Sequence, residues 1–563
     1  MPTAKSSVAS VAQVAAVKAY HKLTKHLPTR YAPGPDGLDW ANQPDPFRRW
    51  AGSRIVELPF VAKAPTVPFA KIHDPGANEP AVLGLENIGL FLELALGLSA
   101  WKQYGETRWS LRTNPSSGNL HPTEGYVLLP PLDGVSDHPA VFHYAPRDHA
   151  LEERGILTDT IWETLPCSGV AGCFLVGLSS VHWREAWKYG ERAFRYCQHD
   201  VGHALGSLRF AAAALGWRLK HLSALSDSDV ATLLGLDREG DFQGSEAEHP
   251  DLVALVSPEP QEIVRRGPEP AAIAGVRNGD WRGHANILSS SHVPWPEIDT
   301  IAEATFKPRT RPPKESISLP PPPVSCFESV RSSSLSMGSI IRGRRSAVAM
   351  DGRTSIPLEV FLRLLWRTMP LRHTVPWDAF ELPARIHLAI FVHRVNDLAP
   401  GLYVLMRDPS RQGALQAACR ADLIWKPVTD DGLPFFALDL ADLREVASYT
   451  SCMQDIAGDG CFSLGMIADF RRTLDEEGPW AYRRLFWESG LIGQVLYLES
   501  EAAGVQATGI GCYFDDLMHQ GLGLDPGDDT WQSLYHFTVG GGVSDTRLTT
   551  LPPYGHLPMN RRP

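Results

Sequence analysis

The chain has 563 residues, more than one hydrophobic core usually organises, so two domains of roughly 200 residues each, plus extensions, are expected. Hydrophobic residues make up 43% and charged residues 21%, the balance of a folded globular protein and unlike a disordered or fibrous one. The net charge of −11, from 64 acidic and 53 basic residues without long single-sign blocks, argues against nucleic acid and towards small-molecule partners.

From the N-terminus, Met1–Ala19 is helix-prone and weakly apolar but has no compact hydrophobic run ahead of a small-residue cleavage site, so secretion is not expected. Ala81–Trp101 has the spacing of an amphipathic helix, and Glu86, Asn87 and Glu93 make it too polar to span a membrane. The loop Arg112-Thr-Asn-Pro-Ser-Ser-Gly-Asn-Leu-His-Pro122 follows. Pro115 and Gly118 shape its backbone, while Ser116, Ser117, Asn119 and His121 supply hydrogen bonds at alternate positions, as a planar, polar-edged ligand would need. A surface turn fits the same residue types. Gly125–Leu129 and Val141–Tyr144 read as strands, as do Ile386–His393 and Gly401–Leu405 further along.

Lys188 and Tyr189 are candidates for proton chemistry, since a buried lysine can act as a base and a phenol can relay or donate. A surface lysine beside a helix-face aromatic is the plainer reading of the same pair. Arg192, Arg195, His199 and His203 recur at spacings of three and four and so share a helix face, either lining a pocket or pairing with acidic neighbours such as Asp200. From about Ile301 to Cys326, Lys307-Pro-Arg-Thr-Arg-Pro-Pro-Lys314 and the run Pro320–Pro323 favour extended polyproline conformation and suggest an interdomain linker. The eight cysteines lack Cys-x-x-Cys or zinc spacing and read as reduced thiols of a cytoplasmic protein that holds no metal.

Lys188–Asp237 slides onto Glu476–Asp525 at a constant offset of 288 (525 − 237), with twelve identities and no gap. The matches include Gly190/Gly478, Arg195/Arg483, Gly202/Gly490, Asp227/Asp515 and the run Leu234–Asp237/Leu522–Asp525. A duplicated domain explains them, and two homologous domains on one chain suggest an intramolecular pseudo-dimer. In the second half, Ile340-Ile-Arg-Gly-Arg-Arg-Ser346 offers guanidinium and hydroxyl donors suited to a phosphate. Gly509-Ile-Gly511 permits close approach of a ligand to the backbone.

The Pro115–Asn119 loop resembles the flavin-gripping Pro-Ser-x-x-Asn loop of nitroreductases, in the longer form of SagB-type dehydrogenases, the azoline oxidases of peptide natural-product pathways. Tyr20–Lys25 and Trp187–Arg195 resemble the same subfamily, and the resemblance covers most of residues 20–256 and 338–545. It implies an α+β fold of two tandem FMN-dependent nitroreductase-like domains, each a central sheet flanked by helices. The corresponding division is an N-terminal extension (1–80), domain 1 (81–260), a Pro-rich linker region (261–335), domain 2 (336–548) and a C-terminal tail (549–563). It further implies that Pro115, Ser116, Ser117, Asn119, His121, Arg344, Arg345, Ser346, Gly509, Gly511 and Arg547 bind FMN, Arg547 standing where family members often place a second phosphate-binding cation. Lys188 and Tyr189 would take a proton from the substrate as hydride goes to flavin N5, with O2 as final acceptor.

The two halves have complementary gaps. The first lacks an Arg-Arg-Ser opening and has His221-Leu-Ser223 in place of Gly509–Gly511; the second has Phe380-Glu-Leu-Pro-Ala384 in place of the serine loop. Family dimers build each flavin site from both subunits, so one composite site and one lost site are expected. A reductase of nitro compounds or quinones driven by a nicotinamide donor, and a flavin-binding scaffold without turnover, are the alternatives. The expected partners are a small-molecule or peptide substrate and a nicotinamide donor or O2, with no nucleic acid and no membrane, for a chain whose internal pseudo-dimer is compatible with a monomer.

Overall fold

The computed structural model describes residues 4–61, 67–74, 78–258, 267–311, 335–380 and 382–563. Two antiparallel sheets dominate it, and each is assembled around long apolar strands. In the first half the order is Asp280–Trp281, Ala150–Ile156, Ala140–Ala145, Thr123–Leu129, Phe174–Ser180, His249–Ser257, Arg218–His221, with Arg54–Glu57 also on Ala150–Ile156. In the second it is Lys426–Pro427, Phe435–Asp439, Gly401–Leu405, Ile386–Val392, Phe462–Asp469, Trp531–Gly540, Gln506–Ile510. The central strands Thr123–Leu129, Phe174–Ser180 and Ile386–Val392 are buried at every residue, because both faces of each sheet are covered. That is why they read as continuous apolar runs instead of alternating ones.

The α+β architecture of two tandem domains in a pseudo-dimer is therefore what the chain adopts. The 288-residue offset holds in space: Ala193–Ala214 corresponds to Ala481–Ala502, His182–Tyr189 to Phe470–Glu477, and Asp227–Leu234 to Asp515–Leu522. The helices Ala193–Ala214 and Ala481–Ala502 pack on one another along the pseudo-two-fold. They meet at Gly202 and Gly490. A Cβ on Gly202 would stand 2.2 Å from the Trp487 carbonyl oxygen, and one on Gly490 2.2 Å from that of His199, so only glycine permits this crossing. Leu205 and Leu208 of one helix share a single apolar core with Leu491 and Val495 of the other.

Matched ion pairs lock the crossing from both sides. Arg195 Nη1 lies 2.7 Å from Asp515 Oδ1, and Arg483 Nη2 lies 2.9 Å from Asp227 Oδ1, each pair reaching into the opposite half. All four groups are buried, so losing one partner strands a charge, which makes the pairing a strong constraint on how the halves dock. Asp515 also takes Arg192 at 3.0 Å. The acidic neighbour of Arg192 and Arg195 is thus Asp515, not Asp200, because the partner comes from the other half of the chain.

Three parts of the sequence reading are revised. The Ala81–Trp101 helix spans only Leu85–Leu96, and Leu98–Tyr104 is a strand. It is captured by residues that the local pattern cannot reveal: Thr107–Arg112 on one edge and Thr549–Leu551, from the C-terminal tail, on the other. The linker region is partly folded, since Pro270–Arg277 and Pro296–Ala304 are helices and Asp280–Trp281 pairs with Gly155 and Ile156. Apolar residues such as Ile273 and Ile298 hold them down, and Lys307 is buried against Asp227. The Pro320–Pro323 run lies outside the described residues. The N-terminal extension is also built into the fold: Ala4–Leu23 is a helix, with His21 bonded to Gln532 and the Lys25 ammonium 2.7 Å from Asp516. No helix among the described residues is long and apolar enough to cross a membrane.

Candidate active site

A cavity of about 730 Å³ opens between the halves, large enough for a cofactor and part of a substrate. One wall is the serine loop, which leaves the strand Thr107–Arg112 and enters Thr123–Leu129 through three left-handed residues, Gly118 (φ 57°), Asn119 (φ 60°) and His121 (φ 53°). The loop braces itself. Ser116 Oγ accepts the His121 N–H at 2.8 Å, the Asn119 amide donates to the Ser110 carbonyl at 2.8 Å, and His121 Nε2 meets Asn119 Oδ1 at 3.0 Å. Ser117 donates to Asp200 Oδ1 from both its backbone N–H (3.1 Å) and its hydroxyl (3.2 Å). Burial holds His121 well below the ordinary imidazole range, helped by the cations Arg112 and Arg184, so its ring is neutral.

The opposite wall comes from the second half. Arg344 donates to the carbonyls of Thr113 and Arg112 at 3.2 Å each, and so fastens the Arg-Arg-Ser segment to the base of the serine loop. Burial lowers it to about 10, and one of its terminal nitrogens, Nη1, is buried without a partner. Arg345 donates to the carbonyls of Ser99, Arg342 and Arg344. The Ser346 hydroxyl meets Tyr497 Oη at 2.9 Å, and that same oxygen accepts the Gly509 N–H at 3.0 Å. A Cβ on Gly509 would sit 1.9 Å from Tyr535 Oη, so this wall tolerates no side chain there.

Ten of the eleven residues expected to bind cofactor thus face one cavity: Pro115, Ser116, Ser117, Asn119 and His121 from the first half, with Arg344, Arg345, Ser346, Gly509 and Gly511 from the second. Arg547 does not. Its guanidinium is three-quarters exposed and bidentate on Asp545, a residue of the cavity rim two positions back, so it is engaged locally outside the lining. Tyr189 lines the cavity, and a Cβ on Gly118 would come within 2.5 Å of its hydroxyl and 3.2 Å of Lys188 Nζ. Lys188 ends the helix His182–Tyr189, half-buried instead of buried, its ammonium 5.3 Å from the Tyr189 ring centroid. Burial, then the neighbouring Glu185, pushes the Tyr189 phenol well above its ordinary range, so it keeps its proton.

Of the helix-face residues Arg192, Arg195, His199 and His203, only His203 is in the wall. The sequence reading missed Asp200 as a wall residue, and Tyr196, Tyr497 and Tyr535, which supply aromatic surface. Burial raises Asp200 to about 7 despite the donors of Ser116 and Ser117. His203 is held neutral, lowered to about 3 by burial. The repeat itself held a clue to these positions, because Asp200 and His203 flank the matched Gly202 that fixes the helix crossing.

At the pseudo-symmetric position only about 20 Å³ remains. His221 and Ser223 stand where the second half has Gly509 and Gly511, and the His221 ring lies parallel to Phe380, 6.2 Å away. Lys307 fills the rest: its ammonium donates to the Leu225 carbonyl at 2.7 Å and sits 5.0 Å from the Trp480 ring centre. Burial drops that ammonium to about 8. Glu381, within the Phe380–Ala384 segment, lies outside the described residues.

No protein-family model matches the chain. A protein of Methanocaldococcus jannaschii described as a nitroreductase is 27% identical over 138 residues, which are 23% of this chain and 68% of that protein. A solved structure from Anabaena variabilis, also described as a nitroreductase, aligns with 94% of this chain and 99% of its own, at a TM-score of 0.66 and 20% identity. The fold is that of nitroreductases. Within this nitroreductase fold the end-to-end alignment takes in both halves, so the tandem arrangement is shared by that structure as well.

The residues present fit FMN. A buried arginine with an unpartnered N–H asks for an anion such as phosphate. Gly509 and Gly511 leave backbone bare for a flat ring, and Asn114 Oδ1 and His121 Nδ1 are buried without partners in the serine-loop wall.

Proposed function

We propose that this chain is an FMN-dependent oxidoreductase with one flavin site, built from the serine loop of the first half and the Arg344–Ser346 and Gly509–Gly511 segments of the second. The observation that carries this reading is the meeting of those segments, more than two hundred residues apart, around 730 Å³, while the symmetric position is filled. Bound FMN would supply two-electron redox chemistry at its ring. Arg344, Ser346 and the loop at Pro115–Asn119 would hold it.

The chain's own contribution is orientation and proton handling. Lys188 and Tyr189 stand over Gly118 at the cavity edge. Lys188 takes a proton from the substrate carbon once its ammonium has released its own, and Tyr189, which stays protonated, donates a hydrogen bond that orients the substrate. Among reactions of this kind we favour dehydrogenation of a peptide or small-molecule substrate, as in SagB-type azoline oxidases, with O2 as final acceptor. What supports it is the Lys-Tyr pair at the cavity rim; the counterpart positions in the second half are Glu476 and Glu477, which pair with Arg385.

The test is to identify the heat-released flavin and then compare turnover on azoline peptides with O2 against turnover on nitroaromatics and quinones with nicotinamides. FMN with O2-dependent dehydrogenation is expected. FMN with nicotinamide-driven reduction only would replace the dehydrogenase reading, and a protein that takes up no flavin would overturn the oxidoreductase reading.

A further inference from the structure

Cys512, outside the flavin-binding set but in the cavity wall, has a second cysteine, Cys452, beside it. The turn after the helix Arg444–Thr450 runs beside the segment that follows Gly511. The Phe514 N–H donates to the Thr450 carbonyl at 2.9 Å. The Gln454 side-chain amide donates to the Ser451 carbonyl at 2.7 Å and to the Cys512 carbonyl at 2.8 Å. These clamps lie on either side of Cys452, so the two strands of backbone are fixed side by side at this point. Cys452 and Met453 both adopt left-handed backbone, φ 55° and 59°, a strained conformation for a non-glycine residue that marks this turn. The Cys452 and Cys512 thiols are neighbours across this clamp, and their interaction pushes the Cys452 thiol up and the Cys512 thiol down.

Cys512 and Gln454 line the cavity, and neither cysteine is fully buried. The other thiols among the described residues differ on one point or another. Cys167 and Cys173 also contact one another but are both buried in the first half's second core, Cys197 and Cys461 are buried, and Cys419 packs against an apolar cluster of the second half.

We propose that Cys452 and Cys512 form a redox-active dithiol that reduces a hydroperoxide reaching the cavity and closes to an intrachain disulfide. The Cys512 sulfur attacks one peroxide oxygen, the O–O bond breaks, and the departing hydroxide takes up a proton to leave as water. Cys512 is then a sulfenic acid. The Cys452 sulfur attacks that sulfur, the S–O bond breaks, and a second water leaves. For hydrogen peroxide the balance is two thiols oxidised by two electrons in total, one peroxide reduced, two waters formed. The order of attack follows from the surroundings: the interaction with the Cys452 thiol, and then the Arg192 guanidinium, which donates to the Gly511 carbonyl at 3.2 Å, hold the Cys512 thiol below its ordinary range. Cys452 is held above it.

The test is a non-reducing peptide map of the full chain by mass spectrometry, after brief treatment with hydrogen peroxide and alkylation of the remaining thiols, against a sample kept in dithiothreitol. We expect one cross-linked species joining the Cys452 and Cys512 peptides, lighter than their sum by two hydrogens, with both residues losing alkylation together. Cys167 and Cys173 should remain alkylated once the chain is unfolded, as an internal control. Cys452→Ser should leave Cys512 as a sulfenic acid trappable by dimedone. Full alkylation of both residues, over-oxidation of Cys512 without a cross-link, or a cross-link at Cys167–Cys173 formed just as fast would each overturn the proposal. The mass is read whether or not flavin is bound and on the unsubstituted chain, so neither a failure of the FMN reading nor a variant that does not fold affects the result.

Discussion

The two pseudo-symmetric positions at the domain interface enclose about 730 Å³ and about 20 Å³, although the same helices and strands surround them. The framework is kept on both sides: Arg195–Asp515 and Arg483–Asp227 are equivalent pairs, and Gly202 faces Gly490 at the crossing. What differs is the lining. Glycines at 509 and 511 leave one wall bare, while His221, Phe380 and Lys307 occupy the other. Duplication therefore preserved the interactions that dock the halves and released one site from the need to bind anything.

Paired substitutions across the pseudo-two-fold can break or sharpen this comparison. The largest contrast should come from Lys188→Ala, which removes the proposed base and should lower turnover about 10²–10⁴-fold, whereas Glu476→Ala, at the equivalent position, should leave turnover unchanged. Equal turnover in the Lys188 variant would remove that residue from the mechanism.

Arg483→Ala and Arg195→Ala should both destabilise, but unequally. Arg483→Ala leaves the buried Asp227 without its guanidinium and should cost about 3–5 kcal/mol in chemical denaturation. Arg195→Ala leaves Asp515 with Arg192 and should cost less; an equal or larger loss there would contradict this.

Asp200 gives a pH-dependent contrast because it lies only at the open site. Its carboxyl is held at about 7 against an ordinary 3.8, so the folded chain keeps a proton that the unfolded chain releases. The native state therefore loses stability as pH rises from about 4 to about 7, on the order of a few kcal/mol, and is level above that. Asp200→Asn abolishes the titration, so its stability relative to the parent should rise through the same window. A difference that is flat with pH would contradict this. Asp251, raised in the same direction, is present in both chains and cancels.

Arg344→Ala should weaken FMN binding by about 1.5–3 kcal/mol, the worth of hydrogen bonds to a charged group, as read by flavin fluorescence titration. Lys307→Ala at the closed position should leave flavin content unchanged and cost about 1–3 kcal/mol of stability, since the Leu225 carbonyl loses its buried donor.

Much of this was legible in the sequence, and the failures have physical causes. The Pro115–Asn119 loop and Arg344–Ser346 could be found because turn residues and clustered guanidiniums are local signals. That they touch depends on hydrogen bonds from Arg344 to Thr113 and Arg112, which no local pattern encodes. Trp101 was assigned to a helix because its own neighbours are apolar; a strand from the far end of the chain, Thr549–Leu551, decides otherwise. Arg547 was assigned to the site from its place in the chain, but Asp545 lies closer. Asp200 gave only the weak signal of lying beside the matched Gly202, because its role depends on being buried under Ser117.

The most direct test of one open and one closed site is a titration of flavin-free protein with FMN, followed by calorimetry, at chain concentrations well above the dissociation constant. Saturation at one FMN per chain, with affinity weakened in Arg344→Ala and unchanged in Lys307→Ala, is what the two cavities predict. Saturation at two per chain would contradict the closed site, and no uptake at all would contradict the open one.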